Sequence, residues 1–440
     1  MKKLLLNQIN IYTPISKDKQ IINDDFDIDN FLHYPILINS DGSLWKHGNL
    51  YLLSKLKAYT KPSSKTLNSI ASDLKDFKQW SDDEEVDYLS APRKILRPTY
   101  LYRGYLQEKL RKGEMAANTV KRKMSAVVSF YRYLIETEGV TFKFPLWEAG
   151  ITSITYKNSH GFSQSKQVNT ADITKVVSAS NPDLYDDAIV DGGRLHPLPK
   201  EQQIAILKAL KTLENTEMTL GFLIALTTGA RIQTVFTLRL KHFKRVPTAD
   251  EKEIRIKIGY GTSCDTKYGK QHTLFFPLWL YNKIRIYINS PRAESRRDKA
   301  KHIFDTNDLQ YLFLTNRGVP FYSAHDDPYR SLYHDAPNGG TIRQFILGSL
   351  KKQLKKDGNS FEFSFHDLRA TFGMNLVDRN LSLAKTGEIE ITYLLMYVKE
   401  RMGHSSITTT EKYLNFRDRH KIKEQAQSDY EDYMFEILDE

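Results

Sequence analysis

Apolar positions recur at helical spacing through much of the chain. In SSKTLNSIASDLKDFKQW, Leu67, Ile70, Ala71, Leu74 and Phe77 share one face, and Ser63 or Ser64 is placed to cap it. In NTVKRKMSAVVSFYRYLIE, Val120, Met124, Val127, Val128, Tyr131, Leu134 and Ile135 form one stripe, while Lys121, Arg122, Lys123 and Arg132 fall largely elsewhere on the cylinder. One face packs and another is cationic, which predicts a compact helical domain over residues 46–150.

Residues 1–45 mix short apolar runs with Asn and Asp and end in the turn cluster NSDGS, so they read as an extension with a strand or two. Residues 151–195 are rich in Ser, Thr and Asn and then punctuated by GGRLHPLP, the pattern of a long linker. Helical periodicity resumes at LPKEQQIAILKALK, with Pro199 at a first-turn position. TEMTLGFLIALTTGA is apolar nearly all round, which predicts a buried helix stopping at Gly229. EIRIKIGY and HTLFFPLW alternate and flank the turn-rich GTSCDTKYGK, predicting a β-hairpin, and YLFLT reads as a further strand. Helices follow at TIRQFILGSLKKQLKK, HDLRATFGMNLVDRN and ITYLLMYVKERMG. A short helix is expected to restart at SSITTTEKY, capped by Ser405 or Ser406. In the tail, residues 421–440, Tyr430, Tyr433, Met434, Ile437 and Leu438 make a second stripe that calls for a partner.

Composition narrows the chemistry. The net charge of +11 suggests an acidic polymer as partner, and the charge is uneven: +7 over residues 46–150, −5 over residues 421–440 and −2 over residues 1–45. Cys264 is the only cysteine, so no internal disulfide or cysteine-based zinc cluster can form, and a reducing, cytoplasmic setting is expected. No run approaches a membrane span or a signal peptide.

A basic chain invites a search for phosphodiester chemistry. Without a metal, that needs cations to hold the phosphate, a nucleophile, and a proton donor for the leaving oxygen. The dense acidic runs SDDEEVD and INDDFDIDN lie in turn-like or helix-terminal contexts, so neither a metal site nor any other cofactor is expected. The metal-free set occurs in order. Arg231 follows the buried helix, as a guanidinium fork suited to phosphate oxygens. Lys267 sits at the hairpin tip with Lys270 as a competitor, and His366 and Arg369 lie at i and i+3 of one helix. His404 follows a helix-ending glycine, and Tyr413 lies nine residues on. Each alone is outweighed by an ordinary structural explanation.

Taken together, TGAR, a hairpin lysine, HDLRATF and MGHSSITTTEKYL resemble the catalytic domain of tyrosine recombinases, the phage-integrase family, over residues 195–420. The basic helical segment is similar, more generically, to that family's core-binding domain. The resemblance implies a mainly α fold with a small β-sheet, a helical core-binding domain at 46–150 and a mixed α/β catalytic domain at 196–420. It implies that Tyr413 attacks the scissile phosphate to give a 3′-phosphotyrosine, that Arg231 and Arg369 hold the phosphate, that Lys267 protonates the leaving 5′-oxygen, and that His366 and His404 assist. It further implies double-stranded DNA as partner, contacted by Lys121, Arg122, Lys123 and Arg132, with a homo-tetramer on DNA and accessory DNA-bending proteins. The tail would then dock in trans. The source expected is a bacterial or phage-borne mobile element, integrated or excised by this protein. A type IB topoisomerase, a telomere-resolving enzyme and a catalytically silent DNA-binding protein of the same fold are the alternatives. One departure stands out: Thr234 occupies the position, three after the first arginine, where the family usually has an acid.

Overall fold

The computed structural model describes residues 1–17, 20–57, 62–157, 163–175, 188–248, 250–300, 307–333 and 335–439. Two compact units divide the chain, the first holding most of residues 1–182 and the second most of residues 183–440. Helices dominate both, and among the described residues each sheet has two strands.

In the first unit, β1 (Lys2–Lys17) and β2 (Gln20–Ile38) pair antiparallel in a long hairpin, a fuller structure than the extension expected. It joins the core through Phe31, Tyr34 and Leu37, which pack with the helices that follow. These are α1 (Lys46–Leu56), α2 (Ser64–Asp83), α3 (Pro98–Arg111) and α4 (Ala117–Glu136). Ser63 caps α2 by accepting from the Thr66 amide at 3.2 Å. The α4 stripe is buried from Val120 to Leu134, but Ile135 is 44% exposed, because it falls at the helix end beyond the core.

The segment read as a linker carries structure of its own. β3 (Ala149–Lys157) and β4 (Ser163–Ala171) pair, and Ala171 and Ile173 are buried in the first unit's core. Residues 158–162 and 176–187, also part of that linker reading, lie outside the described residues.

The second unit opens with a two-residue ladder, β5 (Ile189–Val190) against β6 (Arg194–Leu195). It continues through α5 (Lys200–Thr212), α6 (Thr216–Thr228) and α7 (Ile232–Thr237). β7 (Glu253–Ile258) and β8 (His272–Pro277) form the antiparallel hairpin expected, burying Ile254, Ile256, Ile258, Leu274 and Phe276 on alternate positions. YLFLT does not become a strand of a sheet: Tyr311 and Leu314 make only isolated bridges, to Arg239 and Pro320. Then come α8 (Leu278–Ile288), α9 (Pro291–Asp298), and α10 (Gly340–Phe345) running through a π turn at Ile346–Leu350 into α11 (Lys351–Lys356). The unit closes with α12 (Asp367–Lys385), α13 (Ile391–Met402) and α14 (Ile407–Asp439). Ser406 caps α14 by accepting from the Thr408 amide at 3.2 Å. The expected short helix and the tail are one 33-residue helix, since neither Gly nor Pro interrupts residues 407–439.

Candidate active site

Three local devices bring distant residues together in the second unit. The HDLRAT stretch fixes the start of α12 to the chain preceding α5. Asp367 Oδ1 accepts from the His196 amide at 2.7 Å, and Thr371 Oγ1 accepts from the Leu198 amide at 2.9 Å. Gly403 ends α13 in the left-handed region (φ 64°), which turns the chain so that His404 points back inward. A side chain there would also strike the His272 ring, 2.8 Å from where its first carbon would lie. Gly373 on α12 then leaves room for the Tyr413 ring, since a methyl group at that position would sit 2.5 Å from it.

The result is a convergence on one carboxylate. Asp191, in the turn between β5 and β6, accepts from Arg369 Nε at 2.9 Å and from the Tyr413 hydroxyl at 3.2 Å, both at Oδ2. His404 Nε2 lies 3.2 Å from the same oxygen, and Arg231 donates to Oδ1 at 3.3 Å. His366 Nε2 is 3.4 Å from the Asp191 carbonyl oxygen. Five of the six residues expected in the site, Arg231, His366, Arg369, His404 and Tyr413, therefore surround a single residue. Arg369 is 3% exposed and Tyr413 is fully buried. The remaining Arg369 nitrogens donate to the carbonyls of Gly229 at 2.7 Å and Met402 at 2.8 Å, at the ends of α6 and α13.

The sixth, Lys267, is exposed, and its ammonium lies 3.1 Å from where a methyl group on Gly192 would be, beside the Asp191 turn. Lys270 donates instead to the Gly403 carbonyl at 3.0 Å. Both lysines border the cluster, and Lys267 is the one facing the Asp191 turn.

The electrostatics follow from burial among cations. Burial alone would raise the Asp191 carboxyl, but the His404 hydrogen bond and the charges of Arg369, His404 and Arg231 hold it well below the usual carboxylate range. Burial, then the Asp191 charge, pushes the Tyr413 phenol far above its usual value, with Arg369 opposing. Burial lowers His366, with the charges of Arg231 and Arg369 adding to it, and burial likewise lowers His404. His404 Nε2 donates to Asp191, and its Nδ1 lies 2.9 Å from the Thr410 hydroxyl.

Sequence reading missed two residues here. Asp191 sat in a stretch taken for linker; its signal was an acid in a DGG turn of a chain that lacks the usual acid after its first arginine. His272, at the start of β8, is pushed down to about 4 by burial and then by Arg369, Lys270 and Arg231, so it stands neutral at the edge of the cationic cluster. Thr234 does not touch Arg231's partners: it donates to the Asp265 carbonyl at 2.9 Å, tying α7 to the loop before Lys267.

In the first unit the four expected DNA-contacting residues separate. Lys121 and Arg132 are exposed, Arg132 lying over the Trp147 ring at 5.9 Å. Arg122 is exposed but paired with Asp73 and donates to Ser69 at 2.7 Å. Lys123 is a correction: it is 6% exposed and paired with Asp73 and Asp76, so its charge serves the packing of α2 against α4 and not the cationic face.

No curated protein sequence matches. Among solved structures, the chain is similar to the Tn1549 transposon integrase in complex with circular intermediate DNA, at 16% identity and TM-score 0.46, covering 83% of this chain and 94% of that one. It is also similar to a lambda integrase dimer bound to a COC′ core site, at 15% identity and TM-score 0.44, covering 84% and 94%. A lambda integrase tetramer bound to a Holliday junction gives 13% identity and TM-score 0.45 over 84% and 76%. Residues 51–138 match the phage integrase N-terminal SAM-like domain. Residues 197–420, more than half the chain, match the phage integrase family, and the chain belongs to that family of tyrosine recombinases.

Proposed function

We propose that this protein cuts and rejoins duplex DNA at specific sites through a covalent bond to Tyr413, in the service of a mobile element. The observation that carries the reading is the convergence of Arg231, Arg369, His404 and the Tyr413 hydroxyl on one anionic group within 3.3 Å. A diester phosphate carries the same single negative charge. With phosphate in that place, the two guanidiniums neutralise the charge that builds on the non-bridging oxygens, and His404 donates to one of them. The phenol oxygen attacks phosphorus, the Tyr413 O–P bond forms and the bond from phosphorus to the 5′-oxygen breaks. Lys267 gives that oxygen its proton, and His366 takes up the proton that the phenol loses. The 3′-phosphotyrosine conserves the bond energy, so rejoining needs no nucleotide cofactor.

Lys121 and Arg132 are the residues of α4 free to face a DNA backbone. The exposed Tyr430, Tyr433, Met434, Ile437 and Leu438 of α14 would dock on a neighbouring copy within a tetramer, with accessory DNA-bending proteins assisting assembly.

A suicide duplex bearing the element's end sequence tests the reading. The native protein should form a covalent complex insensitive to EDTA, and Tyr413→Phe none. Absence of adduct from the native protein would leave a silent DNA-binding protein. Relaxation of plasmid without site preference would point to a topoisomerase.

A further inference from the structure

The chemistry above has no task for Asp191, yet this residue sits at its centre. Its carboxylate occupies a position that Arg231, Arg369, His404 and Tyr413 all reach. Arg369 donates from its two terminal nitrogens to backbone carbonyls and from Nε to Asp191, so each of its three nitrogens already has a partner within the protein. Asp191 also accepts from the nucleophile itself. Its charge, with burial, keeps that phenol protonated, the reverse of what attack requires.

The turn that carries Asp191 is held at both ends. Ile189 and Leu195 are buried in the same apolar cluster as Tyr413, Phe372 and Met402. Lys412, next to the nucleophile, donates to the Val190 carbonyl at 3.1 Å.

We propose that Asp191 is an internal substitute for the scissile phosphate, occupying the anion site in the resting protein, and that the β5–β6 turn must withdraw before DNA can be cut. The inference rests on the strand-transfer reading for the identity of the anion displaced. Because the turn grips the arginines through Asp191 and the start of α14 through Lys412, its withdrawal would vacate the anion site and free the tyrosine-bearing helix together. A tethered anion competes at high effective concentration, so the apparent affinity for an external phosphate is reduced by the fraction of molecules in which the turn is closed.

The test uses the full chain, with Asp191→Asn to remove the charge while keeping the shape, and Asp191→Ala as a second variant. Inorganic phosphate is the probe, and its affinity is read from the rise of Tm with phosphate concentration, so a change in basal stability does not confuse the comparison. Both variants should bind phosphate about tenfold or more tightly than the native protein if the closed turn predominates by that factor. Adding Arg369→Ala to Asp191→Asn should abolish the gain, separating this site from general attraction to a cationic surface. Equal or weaker binding in both variants overturns the proposal and makes Asp191 a positioning residue that replaces the acid missing at Thr234. The two readings fail separately. A gain in phosphate binding by a protein that never forms the Tyr413 adduct sustains the occupied site and sinks strand transfer. An adduct from the native protein with no gain in either variant does the opposite.

Discussion

Arg369 Nε donates to Asp191 Oδ2 across 2.9 Å and 178 residues of chain. The same guanidinium closes the carbonyl ends of α6 and α13, so it is at once a structural tie and one of the two guanidiniums of the site. Removing it should therefore damage both roles. Arg369→Ala is expected to lose about 3–5 kcal/mol of stability, because it strands a buried carboxylate and two carbonyls. Arg369→Lys should fold better, yet cut adduct formation by about a hundredfold or more, since an ammonium cannot span all three acceptors. Urea unfolding read beside suicide-substrate kinetics measures the two effects, and near-native values for both variants would contradict the dual role.

Gly373→Ala reverses an ordinary expectation. In a helix interior this change normally gains about 1 kcal/mol. Here the added methyl would lie 2.5 Å from the Tyr413 ring, so a loss of about 1–3 kcal/mol is expected instead. In a Tyr413→Ala background the sign should revert toward a gain. A double-mutant cycle by chemical denaturation that finds the two changes additive would show that the ring does not press on α12.

The cationic residues of α4 should separate by assay. Lys121→Ala and Arg132→Ala should each weaken DNA binding at every sequence and lower the salt slope by about one. Lys123→Ala should leave the slope alone and destabilise the first unit, because its ammonium is buried between Asp73 and Asp76. Fluorescence anisotropy across a salt series decides it; a unit change of slope for Lys123 would reinstate it as a phosphate contact.

Acid should destabilise the second unit through its buried histidines. An ordinary histidine titrates near about 6.5, whereas His272 is held down to about 4. The folded state therefore binds fewer protons than the unfolded chain between those values, and stability falls as pH drops through that window, levelling off below it. His242, likewise pushed down to about 4 by burial, adds to the slope. Asp191 acts with the same sign but lower: its depressed carboxyl adds stability above the ordinary carboxylate value near 3.9, lost as pH falls further. Urea midpoints from pH 7 to 4.5 should show a shallower fall in His272→Gln, and an unchanged fall would remove His272 from this account.

Removal of residues 425–440 should weaken assembly on DNA more than binding to a single site. Gel-shift titration against sedimentation compares them. Equal losses would mean that the exposed α14 face serves its own subunit's fold.

Much of the second unit was legible because its signals are local. The all-round apolar run of α6, the glycine stops at Gly229 and Gly403, and the alternation of β7 and β8 each need only a few neighbouring residues to be read. The convergence of Arg231, His366, Arg369, His404 and Tyr413 was legible only through motif order, since no spacing rule reveals contacts made 40 to 222 residues apart. Asp191 lay beyond both kinds of signal: a two-residue strand has no period to detect, and its partners sit on α12, on α14, just before α7 and just after α13. YLFLT failed in the other direction, an apolar run whose buried residues pack without a neighbouring strand. Lys123 and Arg122 look alike along the chain and both pair with Asp73 on the facing helix, but only Lys123 is buried and reaches Asp76 as well.

The unbroken course of α14 has a mechanical corollary. Tyr413 lies in its second turn and Leu438 at its far end, 25 residues away, or about 37 Å along a stiff rod. A small angular change imposed where the helix leaves the protein becomes a change in how the phenol enters its slot beside Gly373. Whatever seizes the distal end thus has leverage over the Tyr413 hydroxyl, without any part of it touching the groups around Asp191.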